Sequence, residues 1–423
     1  MNLILKHCEI LTKNKGKWSI IPNKSIVIKN GYINKIVPFN ISLKNLKSNY
    51  QALDCQNKIV MPGLCNAHVH LGDTIFRGII NNVTLKEYLR QTEIYNKKFD
   101  DFFRRSISTQ FTLLDLIRNG ITSCCVGRGW PVFKEIEFYN MNILTGYVLM
   151  NIERLKDDYK NFETRLSAYK REIEKFSLNL KIGIFIHSVR SVSENLLKKI
   201  KQNIDTKKIK IIIHIGERKE KNKRSDLEIL NKHSLISKNT ILVHCLNLSK
   251  NDYSLLKKFK PSVVLCPTSN LKLLSGIADF KKLSATGCNI CIATDGGATN
   301  NSFNLFREAK LASLLYNYFT GKFILNEGKL LDLIITNPIK ALGFKKTGLI
   351  KEGYRADLIT IDKNFIGIQP KKSLINNLIF SGDSTMIKDV IINGKVLIKE
   401  GKFLNKIKTK KAIDLFNKLC NKL

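Results

Sequence analysis

The run MPGLCNAHVHLGD, residues 61–73, closes an apolar stretch on His68-Val69-His70. Side chains at i and i+2 of a strand point to one face, so at a strand end both imidazoles can reach one metal ion. Taken alone, H-x-H is weak evidence, because a histidine is more often a hydrogen-bonded core or surface residue than a ligand. The placement of the other histidines decides the matter. The chain has seven, and five of them close apolar runs: His68 and His70 the first, His187 after IGIFI, His214 after III and His244 after ILV. Asp295 closes a further run, NICIATD. His7 and His233 lie elsewhere and read as structural or surface residues.

His68, His70, His214 and Asp295 together offer three imidazoles and a carboxylate, a donor set suited to zinc or another divalent transition metal with one position left for water. Such an ion brings the pKa of its water down toward about 7. Asp295, beside that water, is placed both to bind the metal and to take the proton. Glu217 stands three residues after His214 and is placed to carry a proton to a substrate, although its setting, GERKEKNKR, also suits a solvated loop carboxylate. His244 is placed to orient the hydroxide or polarise the group under attack. His187 either contacts substrate or caps its strand.

The elements that must position these groups are legible from apolar patterning. Apolar runs at 121–126, 143–149, 182–186, 211–213, 241–243, 262–265 and 290–293 join the one before His68 to make eight, most of them separated by segments of helical periodicity. Strands this apolar alternate with helices when a parallel sheet is buried on both faces, and eight such units predict an α/β fold, a (β/α)8 TIM-type barrel whose site lies at the C-terminal ends of the strands. Short strands at both ends of the chain, with Asn30-Gly31 and Asn393-Gly394 as hairpin turns, predict one small composite β-sandwich built from both termini. The expected division is 1–61 for the first part of the sandwich, 62–348 for the barrel, and 349–423 for the second part and a C-terminal helix.

The 423 residues carry a formal net charge of +36, which raises the question of nucleic acid or an anionic surface. The lysines are spread over almost every predicted helix and no aromatic-and-basic RNA-binding signature is present, so they read as solvated faces and nucleic acid is not the expected partner. No run reaches the roughly 18 apolar residues that span a bilayer, and the first residues are too charged and their apolar patch too short for a signal peptide. The reading is a cytoplasmic protein without a membrane partner. Its ten cysteines are then expected to stay reduced as small core residues, Cys288-x-x-Cys291 included.

The segments MPGLCNAHVH, HIGE, VHC, CPTSNLKLLSG and ATDGGATNN, in this order and spacing, resemble the amidohydrolase superfamily, and within it the branch of cytosine, guanine and S-adenosylhomocysteine deaminases and triazine chlorohydrolases. GLIKEGYRADLITID and INGKVLIKEGKF are similar to that branch's closing β segments. The resemblance implies that His68, His70, His214 and Asp295 bind one divalent metal, zinc first and iron as the alternative. It implies that Glu217 shuttles a proton to a ring nitrogen and that His244 assists the attacking hydroxide. The fourth strand ends in a histidine with no lysine for a carbamate bridge, which implies a mononuclear site. The activity implied is hydrolytic deamination of a small aminated heterocycle, a purine or pyrimidine base, nucleoside or derivative. The alternatives are removal of another leaving group such as chloride, and a non-catalytic scaffold. Homo-oligomers are common among such relatives. Asn247 and Leu265 stand where many relatives have histidines, at positions expected to read the leaving group and the substrate's far end. Arg154 is a candidate for gripping a carboxylate, and Arg128 and Trp130 for holding a ring or an anion.

Overall fold

The computed structural model describes residues 2–40, 50–97, 101–127, 139–149, 162–175, 179–219 and 224–422. Strands β1 (Asn2–Asn14), β2 (Lys17–Lys29), β3 (Tyr32–Pro38), β4 (Tyr50–Asp54) and β5 (Lys58–Pro62) lead into β6 (Leu64–Val69), β7 (Ile121–Val126), β8 (Asn142–Leu149), β9 (Leu180–Ile186), β10 (Lys210–Ile215), β11 (Thr240–His244), β12 (Ser262–Leu265) and β13 (Asn289–Ile292). Strands β6 to β13 form one eight-stranded sheet in sequence order, every pair parallel. That is the expected barrel. Cys65, Ala67, Cys125, Leu144, Phe185, Ile212, Val243, Val264 and Cys291 form its inner cluster, while alternate residues such as Leu64, Ile143, Ile213 and Leu265 pack outward in the cluster that includes the helices. Burial on both faces explains why these strands read as continuous apolar runs.

The seam between β13 and β6 is closed by a side chain. Asn66 donates from Nδ2 to Thr294 Oγ1 at 2.7 Å and accepts from the Thr294 N–H at 3.2 Å, and the Asp295 N–H donates to the His68 carbonyl at 3.2 Å.

Serines start several of the intervening helices. Ser193, Ser225 and Ser249 each accept from an N–H of the first turn of Glu194–Asn203, Asp226–Lys232 and Lys250–Phe259, satisfying donors that the helix itself cannot. The region 327–342 is two helices, Glu327–Ile334 and Thr336–Leu342. In the latter, Pro338 is accommodated only within a first turn, where its missing N–H has no partner to lose.

After the barrel come β14 (Leu358–Asp362), β15 (Ile387–Ile392), β16 (Lys395–Lys399), β17 (Lys402–Phe403) and the helix Lys406–Cys420. The terminal strands from both ends join in one nine-stranded sheet, ordered β17-β16-β15-β14-β5-β1-β2-β3 with β4 beside β1. The β layer drawn from both termini is therefore a single hydrogen-bonded sheet, with β5 from the first part lying between β1 and β14. All ten cysteines are free and eight are buried. Among the described residues, no helix is long and apolar enough to cross a membrane.

Candidate metal centre

The side chains singled out from the sequence meet at the C-terminal end of the barrel. His68 lies within β6 and His70 just after it, His187 follows β9, His214 lies in β10 and His244 ends β11. Strict alternation from Cys65 and Ala67, which face the barrel interior, would turn His68 away. An irregularity in the pairing of β6 with β7 between Asn66 and Val69 sets one more residue on β6 than on its partner. Such a bulge re-aims the side chains beyond it, and both imidazoles turn inward. Gly127, just past β7, makes room: a Cβ there would stand 2.9 Å from His70 Cε1 and 3.1 Å from His68 Cε1.

His68 Nε2 is 3.2 Å from His70 Nε2 and 3.2 Å from His214 Nε2. Asp295 Oδ1 is 3.4 Å from His68 Nε2 and 3.5 Å from His70 Nε2. Donors about 2.1 Å from one ion stand about 3.0–3.6 Å from their neighbours when a fifth position is left for water, so the spacings of His68 Nε2 from the other three donors, and of His70 from Asp295, fit a shared cation. The chemistry of the donors agrees. Burial pushes His68 down to about 4, against the pull of Asp295, and burial followed by the neighbouring imidazoles takes His214 well below its ordinary value. Both rings are neutral at physiological pH, the form that binds metals. Burial opposes ionisation of Asp295, but its contact with His68 and the nearness of His70 and His244 outweigh that and hold it well below the usual carboxylate range.

Donor atoms of His214, Glu217 and His244 also lie within 4.8 Å of one another. Glu217 Oε1 is 3.6 Å from His244 Nε2, and burial raises the Glu217 carboxyl above its ordinary value. His244 Nδ1 lies 2.8 Å from Asn270 Oδ1; with the amide oxygen facing it, Nδ1 is the donor, and Nε2 faces Glu217. His187 packs edge-on against His214 with ring centroids 5.2 Å apart. His70, His187, His214, Glu217, His244 and Asp295 all line one cavity of about 550 Å³. Its apolar wall comes from the helix Leu85–Lys97, through Leu85, Tyr88 and Leu89.

The backbone is bent to achieve this. His244, Cys245 and Asp295 have φ of +72°, +51° and +63°, a region that residues other than glycine rarely occupy and that costs about 1–3 kcal/mol at each position. Strain of this kind concentrates at functional sites.

Several partners of the site escaped the reading of the sequence. Ser269 Oγ donates to Asp295 Oδ2 at 2.6 Å and Thr299 Oγ1 to the same oxygen at 3.0 Å, while Asn270 holds His244. Ser269 and Asn270 belong to CPTSN and Thr299 to ATDGGATNN, so the motifs were visible though these roles were not. One expectation is corrected: Leu265 is fully buried in the outer core, because alternation along β12 turns it away from the cavity. Asn247 Nδ2 donates to the Gly216 carbonyl at 2.7 Å, tying its loop to the one that carries Glu217. Arg128, Trp130 and Arg154 lie outside the described residues.

A family model described as the amidohydrolase family matches residues 59–397. A 5-methylthioadenosine/S-adenosylhomocysteine deaminase of Acetivibrio thermocellus is 29% identical over 419 residues, covering 94% of each chain. A 5'-deoxyadenosine deaminase of Methanosarcina acetivorans is 28% identical, covering 94% of this chain and 93% of its own. Among solved structures, an adenosine deaminase from Xanthomonas campestris with bound zinc superposes with a TM-score of 0.87 at 21% identity, covering 100% of this chain and 99% of that one.

Proposed function

The chain belongs to the amidohydrolase family, and on that premise we propose that it is a mononuclear, zinc-dependent deaminase of an aminated heterocycle, with 5'-modified adenosines as the first candidates. The observation that carries the reading is that His68 Nε2 lies 3.2 Å from His70 Nε2, 3.2 Å from His214 Nε2 and 3.4 Å from Asp295 Oδ1, at the base of a cavity that Glu217 and His187 share. His68, His70, His214 and Asp295 would hold the ion. When bound, it supplies hydroxide at neutral pH by acidifying water.

The protein groups then divide the proton work. Asp295, kept ionised by its imidazole neighbours, accepts the proton of the attacking water. Its Oδ2, held by Ser269 and Thr299, cannot swing away. Glu217, its carboxyl raised by burial, delivers a proton to the ring nitrogen beside the amine-bearing carbon. The carbon gains a C–O bond; the amine takes up the proton held by Asp295 and leaves as ammonia with the C–N electron pair, while the hydroxyl proton of the adduct returns to Glu217 as the carbonyl forms. His244, fixed by Asn270, presents Nε2 to the nucleophile and orients it. His187 and the apolar wall of Leu85 and Leu89 contact the substrate. We place this chemistry in the cytoplasm.

The test is ammonia release by zinc-loaded protein offered 5'-deoxyadenosine, 5-methylthioadenosine, S-adenosylhomocysteine, guanine and cytosine. Turnover of at least one adenine nucleoside is the expected result. Absence of ammonia from all of them, with folded and metal-loaded protein, would overturn the reading.

A further inference from the structure

Three consecutive residues after β12 reach three different groups. Ser269 holds Asp295 Oδ2, Asn270 holds His244, and Thr268 is itself held by Glu308. The Thr268 N–H donates to Glu308 Oε2 at 3.2 Å, and its hydroxyl donates to Oε1. Glu308 lies on the helix Leu305–Thr320, is 2% exposed and is not among the residues that line the cavity. Its Oε1 accepts a further bond, at 2.9 Å, from Nδ2 of Asn300. The residue before Asn300 is Thr299, the second hydroxyl on Asp295 Oδ2.

One buried carboxylate thus clamps both segments that deliver a hydroxyl to the same oxygen of Asp295, and one of those segments also carries the partner of His244. A carboxyl buried on the same helix as the buried Phe306, Ala309 and Ala312, pushed up to about 7 by burial against the bonds from Thr268 and Asn300, is a costly residue for packing alone, because an apolar side chain would fill the space without desolvating a polar group. The hydrogen bonds of its carboxyl, from Thr268 and Asn300, are all to residues beside a site partner.

We infer that Glu308 is a positioning residue for the metal centre: it fixes the turns from which Ser269 and Thr299 orient Asp295, leaving Oδ1 toward His68 and His70. The inference rests on the reading of Asp295 as ligand and proton acceptor. Groups that orient ligands typically contribute 10–100-fold in metal affinity or activity, and Glu308, one bond further out, belongs at the lower end.

The experiment compares wild-type protein with Glu308→Gln, whose amide cannot accept all three bonds. Zinc affinity is measured by competition with a chromophoric chelator, and kcat and KM on whichever substrate the wild type turns over. The expected result is about tenfold weaker zinc binding and at least about a tenfold loss in kcat, with KM held within about threefold and circular dichroism unchanged. Glu308→Asp, which keeps the carboxyl at shorter reach, recovers part of both. Thr268→Val removes one link but keeps the acid, and shifts both in the same direction by a smaller factor. A folded Glu308→Gln protein within about twofold of wild type in both readouts would overturn the inference, as would an unaffected Thr268→Val protein if the first variant does not fold. Wild-type protein that binds zinc but releases no ammonia sinks the deaminase reading alone, and the zinc readout then decides on Glu308. Wild-type protein without zinc affinity sinks both.

Discussion

Burial raises the Glu217 carboxyl above its ordinary range, whereas at Asp295 the contact with His68 and the nearby imidazoles of His70 and His244 outweigh burial and keep the carboxylate ionised. Two carboxyls pushed apart by their surroundings are the pattern of an acid and a base in one site. Glu217→Gln removes the proton donor and leaves the metal donors in place. It should lower kcat by about 10²–10⁴-fold while zinc content, read by atomic emission, stays at the wild-type level. The sign of the pH response follows as well. Glu217 works only while protonated, so kcat/KM should fall as pH rises through its raised pKa, a limb to be sought above the ordinary carboxylate range. A profile that keeps rising through neutrality and beyond contradicts the assignment.

At the scale of elements, the strands were legible because burial on both faces leaves little room for polar residues, and the histidines stood out as interruptions at the strand ends. β4, with most of its residues exposed, and the two-residue β17 left no such pattern. The bulge in β6 was invisible for another reason: it inserts a residue without changing residue types. Ser269, Asn270, Thr299 and Asn66 were missed because serine, threonine and asparagine are common on any surface, and only tertiary hydrogen bonds set these four apart. Gly127 turns the same geometry into a prediction. Gly127→Ala places a methyl within 2.9 Å of the His70 ring and 3.1 Å of the His68 ring, which must then shift by a few tenths of an ångström. Zinc affinity should fall by about tenfold or more, measured by chelator competition, with little change in thermal midpoint; unchanged affinity would show that the rings yield freely.

Across the whole molecule, the sheet built from both ends of the chain anchors the strand that delivers the first two histidines. β5 runs through Gly63 into β6, and the Gly63 N–H donates to the Asp357 carbonyl at 2.9 Å. The Asp357 side chain, buried with Arg355, accepts from Arg355 Nε at 3.1 Å, from Asn142 Nδ2 of β8 at 2.7 Å and from the Asn393 N–H at 2.9 Å. Asp357→Ala leaves the guanidinium buried without its partner and should reduce unfolding free energy in urea by about 3–5 kcal/mol; a loss under about 1 kcal/mol would mean that this network does not tie sheet to barrel. Of the cationic side chains, the buried ones among the described residues are Lys58, Arg104 and Arg355, as solvated faces require.

The account turns on whether four donors from β6, β10 and the segment after β13 share one cation. An anomalous difference map collected at the zinc edge from zinc-loaded crystals tests it directly. The predicted result is a single peak about 2.0–2.2 Å from the Nε2 atoms of His68, His70 and His214 and from Asp295 Oδ1. A peak bound by His68 and His70 alone, or none at this point, contradicts it.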